Sequence, residues 1–151
     1  LGDDDDESRE RIGRLFDLAT SGMITGAAFE NYLTVTTAEA ETILASTGFD
    51  VAGYCHIVDS SAIRHIVKHH GNAEKEAQRG QIAVQRDDFV NLAELIGAAE
   101  SILNSGKTKQ GRDTIRYSNT GLVSSVFVEE LRTGRKQLAA VTLYKGEGRE
   151  A

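Results

Sequence analysis

What this chain lacks narrows its possibilities before any motif is read. Its one cysteine, Cys55, has no partner for an internal disulfide and excludes a zinc site built from several thiolates. The fold must therefore be held by packing. No apolar run comes near the ~20 residues that span a bilayer, so no membrane is expected among its partners. Proline is absent altogether, and nothing about function follows from that. No targeting segment is legible either. Leu1 is not an initiator methionine, however, so the chain reads as a fragment or trimmed piece and that absence carries little weight. With 151 residues, 40% of them hydrophobic, the chain can build one globular domain with a core, but not two.

The net charge of −6 conceals a division. Residues 1–53 carry 3 basic and 11 acidic side chains, whereas residues 54–145 carry 13 basic and 10 acidic. Such asymmetry fits a polyanion-facing body behind an acidic lead-in. A solvated linker accounts equally well for Asp3, Asp4, Asp5, Asp6 and Glu7. Residues 1–8 are accordingly read as an acidic linker and 9–53 as a helical N-terminal extension.

From Ser8 onward, Ile12, Leu15, Phe16 and Ala19 recur at helical spacing until Gly22. A second helix is expected over about 37–46, with Glu39 and Glu41 in its first turn, where the helix dipole favours carboxylates. The segment Gly53–Asp59 has strand character, and Asp59-Ser60-Ser61 offers caps for a helix ending near His70, with Gly71-Asn72 as a left-handed stop. A further helix is expected over 87–96. Strands are then expected at 101–104, 113–118, 122–131 and 137–145, separated by turns at Gly106, Gly111, Gly121 and Gly134. Helices first and strands afterwards make an α+β fold.

All four histidines lie between residues 56 and 70. At about 100° per residue, Ile63, Ile66 and Val67 define the apolar face of the 60–70 helix, and His70 falls near its centre. The dipole favours a positive side chain in that last turn. His65 and His69 share a flank. A half-buried capping histidine and a catalytic one are both open readings for His70. A zinc reading of His65 and His69 fails for want of a Glu at position 66, where Ile66 stands, and of an obvious third ligand. No metal or other cofactor is expected.

On the last strand, strict alternation puts Leu138, Ala140, Thr142 and Tyr144 on one face, against Ala139, Val141, Leu143 and Lys145 on the other. Val141 and Leu143 read as core, which leaves Thr142 and Tyr144 as two neighbouring hydroxyls on the opposite surface. Burial of the aromatic face is the alternative. The strand expected at 113–118 presents Thr114, Arg116 and Ser118 on one face. An arginine on a polar face could pair bidentately with a phosphodiester. Basic turns at Lys107-Thr108-Lys109 and Arg132-Thr133-Gly134-Arg135-Lys136 could follow a nucleic-acid backbone, although solvated turns are often basic too.

The order of these pieces is more specific than any one of them. His65-Ile66-Val67-Lys68-His69-His70-Gly71 is followed by the acidic-capped helix at 87–96, Ser105-Gly106-Lys107 and Ile115-Arg116-Tyr117. A Val-rich strand ending Glu129-Glu130 and then Ala140-Val141-Thr142-Leu143-Tyr144 complete the series. This succession resembles the phage-associated branch of the barnase–EndoU–colicin–RelE-like nuclease superfamily, whose members occur as C-terminal modules of phage MuF-type and polyvalent proteins. The resemblance covers residues 54–145 and leaves 146–151 as a tail. It implies N-terminal helices packed on a four-stranded antiparallel sheet, with metal-independent endoribonuclease chemistry through the RNA 2′-hydroxyl on the exposed face. His65, His70, Arg116, Thr142 and Tyr144 match the catalytic positions, and the doubled His69-His70 leaves the register of the second histidine open. His69, Lys107, Lys109, Arg132 and Arg135 are the candidate substrate contacts. The implied partners are RNA, tRNA included, and an immunity protein or another phage protein. The implied setting is the cytoplasm of a bacterial host reached with a phage particle. Two other readings stand beside this one. The chain could be a non-catalytic nucleic-acid- or protein-binding module of a phage assembly protein, or its residues 1–53 could mask the basic surface.

Overall fold

The computed structural model describes residues 2–22, 27–121 and 123–147. Leu122, expected to open the third strand, and residues 148–151 of the expected tail lie outside the described residues, as does Leu1. The elements run α1 (Gly2–Ser21), β1 (Phe29–Thr34), α2 (Thr37–Thr47), β2 (Cys55–Asp59), α3 (Ser60–His70), α4 (Ala73–Gln78), β3 (Gln81–Ile82), α5 (Arg86–Val90), α6 (Leu92–Gly97), β4 (Ser101–Lys107), β5 (Asp113–Asn119), β6 (Val123–Arg132) and β7 (Gln137–Glu147). Among the described residues no helix is long and apolar enough to cross a membrane.

The fold is α+β, and the four expected antiparallel strands form its C-terminal third as β4–β7. The sheet is larger than four strands, however. Its order is β1-β2-β7-β6-β5-β4, with β3 also pairing to β7. β2 runs parallel to β7 through Cys55–Ile57 against Gln137–Ala139, while β3 meets β7 at Lys145 and Gly146. α3 leaves the end of β2 and packs along β7 between these two contacts. This placement brings its last turn beside the end of β7.

Local chemistry explains the helix boundaries. Thr36 caps α2 by accepting from Glu39 N at 3.1 Å, and Gly48 ends it in the left-handed region at φ 83°. Asp59 caps α3 by accepting from Ala62 N at 2.7 Å. The stop expected at Gly71 is not left-handed, because Gly71 stays right-handed at φ −97°. Glycine is required there for closeness: a Cβ would lie 2.5 Å from the Val67 carbonyl oxygen. The helix expected over 87–96 is broken at Asn91 into α5 and α6.

The charge block read as a linker begins α1, and Ile12, Leu15 and Ala19 from that helix join Ile43 of α2 in the same core as Phe89, Phe127 and Leu143. β1 was not legible in the sequence, since Tyr32 is its one buried residue and a register shift between Asn31 and Leu33 interrupts its alternation. The two-residue β3 and the polar α4 were likewise not anticipated.

Strict alternation also fails on β7. Val128 pairs with Thr142, but the next residue, Glu129, pairs with Ala140, so Val141 is the extra residue of a bulge. The bulge puts Leu138, Ala140 and Leu143 on the buried side together, with Val141 only half-buried. Thr142 and Tyr144 then emerge on the opposite face, as expected.

Candidate functional site

The sheet has two chemically distinct faces. Helices cover the one bearing Ile115, Tyr117, Phe127, Leu131, Leu138 and Leu143, all buried. On the other, Arg116, Val128 and Thr142 form one row across β5, β6 and β7, with Ser118, Val126 and Tyr144 in the next. Adjacent strands are about 4.8 Å apart, which sets the Arg116 and Thr142 backbones about 10 Å apart with Val128 between them.

α3 delivers His70 to this face. The His70 ring lies 5.4 Å from the Tyr144 ring, tilted by 33°. Its Nδ1 is 3.2 Å from Oε2 of Glu76, a fully buried carboxylate on α4. The other Glu76 oxygen accepts from Arg79 Nη1 at 3.0 Å, and the same nitrogen donates to the His69 carbonyl at 3.1 Å. The His70 carbonyl accepts from Val84 N at 2.8 Å. Backbone and side chain of His70 are thus both fixed. A carboxylate accepts, so Nδ1 carries the proton and donates it to Glu76 in the hydrogen bond, which leaves Nε2 for proton transfer.

Arg116 is held differently from most cations of this chain. Its Nε is buried with no hydrogen-bond partner among the described residues, and the same is true of Nη1 of Arg64 on α3. A desolvated guanidinium nitrogen without a partner is costly, and a bound anion would relieve it.

The remaining expected residues are scattered. His65 and His69 meet with ring centres 4.4 Å apart, tilted by 54°, on the exposed flank of α3, so His65 faces solvent rather than Tyr144. Partial desolvation, then the positive charges of His65 and Lys68, hold His69 below the ordinary histidine value. Lys107 donates to Asp113 at 2.8 Å across the β4–β5 hairpin, and Lys109 sits exposed in its turn. Arg132 donates to Glu130 at 2.9 Å and to Asp59 at 3.4 Å, while Arg135 is exposed in the β6–β7 turn. Glu76 and Arg64 were missed from sequence. Glu76 lies in a polar run that reads as solvent-facing, and Arg64 lies off the apolar face of α3 that Ile63, Ile66 and Val67 define.

A second polar constellation, also missed, lies beneath the helices. His56 on β2 is fully buried, with Nδ1 2.8 Å from Glu129 Oε2 and Nε2 3.0 Å from Glu39 Oε2. Burial alone would lower the pKa of His56, but the Glu129 carboxylate, followed by Glu39, pushes it up to about 10. Both ring nitrogens then donate as an imidazolium. Tyr32 and Tyr117 flank the ring at 6.1 and 6.4 Å. Burial first, and then the Glu129 charge, raise both phenols well above their usual range. Their hydroxyls approach Glu129 without reaching hydrogen-bond geometry. One signal could have found this group: Glu129 occupies a core-parity position of β6, two residues from both Phe127 and Leu131.

A family model described as phage-Barnase-EndoU-ColicinE5/D-RelE like nuclease3 matches residues 34–151, and the chain belongs to that family. No curated protein matches the chain, and neither does any solved structure. The matched span begins in β1 and contains the open face, α3 and His56 with Glu39 and Glu129, but not Tyr32.

Proposed function

We propose that this member of a phage nuclease family cleaves RNA on the open face of its sheet, without a metal ion. The carrying observation is the His70–Tyr144 contact, in which an imidazole anchored through Nδ1 to buried Glu76 stands over the face that carries Arg116 and Thr142.

The chemistry divides among these groups as follows. A base takes the proton of a ribose 2′-hydroxyl, the 2′-oxygen forms a bond to the adjacent phosphorus, and the bond from phosphorus to the 5′-oxygen breaks. An acid then protonates the departing oxygen. His70 supplies proton transfer through Nε2. Arg116 offers its fork to the phosphate oxygens, where negative charge grows as the 2′-oxygen attacks. Arg64 brings a second unpaired guanidinium from α3. Thr142 and Tyr144 add hydroxyls from β7 that position the ribose and phosphate. The exposed His65 and His69, with Lys109, contact the flanking backbone. The substrate is RNA, tRNA included, in the cytoplasm of a bacterial host.

The test is incubation of the folded protein with total RNA and with tRNA in excess chelator. His70→Ala should lower cleavage by about 10²–10⁴-fold, the usual worth of general acid–base catalysis. Thr142→Ala should lower it less. No cleavage by folded wild type would remove the enzyme reading for those substrates, and equal cleavage by all three proteins would remove the site.

A further inference from the structure

At the β6–β7 turn a cavity of about 420 Å³ opens, lined by Arg112, Leu131, Arg132, Thr133, Gly134 and Arg135. Three guanidinium groups converge there, and two of them are tied in place. One oxygen of Glu130 accepts from both Arg112 Nη1, at 2.8 Å, and Arg132 Nε, at 2.9 Å. Asp59 accepts from Arg132 Nη2 at 3.4 Å while its other oxygen caps α3. Arg135 has no ion pair among the described residues.

These carboxylates do not use up the cations. A guanidinium carries five N–H donors, so one contact leaves Arg112 most of its fork, two leave Arg132 more than half, and Arg135 keeps all of its own. Glu130 and Asp59 act as struts that hold two forks toward the same space, and the unpaired Arg135 supplies the excess positive charge. Fixed forks of this kind match the tetrahedral oxygens of a phosphate.

Two of the cavity's arginines, Arg112 and Arg132, have the strand parity of Arg116. Arg112, Thr114 and Arg116 follow each other at every second position on the approach to and along β5, while Val128, Glu130 and Arg132 do so on β6. Four residues of strand separate Arg112 from Arg116, or about 13 Å. That backbone spacing leaves room for the two side chains to hold different phosphates of one strand.

We infer that the Arg112–Arg132–Arg135 cavity is a distal subsite for a backbone phosphate of single-stranded nucleic acid, more than one nucleotide away from the phosphate held at Arg116. The inference rests on the proposed nuclease reading for its direction along the face, but its test reads binding alone. The probe is unstructured RNA of two lengths, a trimer and a decamer, binding to the full chain in the His70→Ala background so that cutting is slow on the timescale of binding. Affinity is followed from low to moderate salt.

Wild-type contacts should make the decamer bind more tightly than the trimer, and Arg135→Gln and Arg112→Gln should erase much of that gain. Each lost phosphate contact should reduce the slope of log affinity against log salt by roughly 0.7. Arg135 is exposed and unpaired, so that variant reports on the subsite without disturbing the fold. An unchanged slope in both variants would overturn the subsite, as would a loss equally large for the trimer. If the subsite variants behave as expected while wild type cleaves no RNA, the subsite stands and the nuclease reading falls.

Discussion

The two faces of the sheet handle charge in opposite ways. Beneath the helices, His56 is fully buried and both ring nitrogens meet carboxylates, Glu129 at 2.8 Å and Glu39 at 3.0 Å. On the open face, Arg116 holds a buried Nε with no partner among the described residues. A charge removed from water must be paired or it destabilises the fold. The covered face obeys that rule internally. Across the sheet the requirement is left open, which fits a surface completed by an anionic ligand. Charge satisfaction thus separates a structural constellation from a candidate site more sharply than the number of polar residues does.

Breaking the answered side should have the largest effect. Glu129→Ala leaves the His56 imidazolium buried beside Glu39 alone, and removing one partner of a buried pair costs about 3–5 kcal/mol. Urea unfolding of wild type and variant measures it. Glu129→Leu should recover part of the loss if His56 relaxes to its neutral form. If Glu129→Ala unfolds within ~0.5 kcal/mol of wild type, the ordinary scale of a surface substitution, the covered face is not held by this charge group.

The same cluster predicts a pH dependence. His56 is raised from 6.5 in the unfolded chain to about 10 in the fold, so the folded state binds the extra proton. Its stabilisation is fully present below pH 6.5 and is lost as pH rises through about 10. Wild type should therefore lose more stability than His56→Gln between pH 7 and pH 10, measured by denaturant unfolding. Parallel losses in the two proteins would show that His56 is neutral in the fold and that the covered face is not a charged cluster at all.

The open face was easier to read from sequence than the covered one, for physical reasons. Arg116, Thr142 and Tyr144 lie on strands whose side-chain parity is visible, and the parity survives the bulge at Val141 because both hydroxyl residues follow it. His70 was legible because α3 has a strong apolar stripe and His70 lies on it. The same wheel set His65 off that stripe, and the resemblance alone made it catalytic; its exposed contact with His69 accords with the wheel. What was not legible depends on contacts between segments remote in sequence. Glu76 looks like one more charge in the polar run Ala73–Gln78, and only the return of α4 against α3 buries it. His56 meets Glu129 across 73 residues, and Tyr32 belongs to a strand that alternation does not mark. Local pattern finds faces. It does not find which faces meet.

Glu76 is the point at which the comparison can be sharpened with the smallest perturbation, because it is a buried carboxylate that serves the open face. Glu76→Gln keeps the volume and an acceptor oxygen for Arg79, so the fold should persist with little change in melting temperature. The charge at His70 Nδ1 is lost, however, and an amide that turns its NH₂ toward the ring favours the tautomer with the proton on Nε2. Cleavage should then fall about tenfold, the equivalent of ~1.4 kcal/mol in the barrier. Glu76→Asp, which restores the charge on a shorter arm, should recover part of the rate. A cleavage rate in Glu76→Gln equal to that of wild type would mean that Glu76 only holds α4 against α3. His70 would then be positioned by its backbone and by Tyr144 alone.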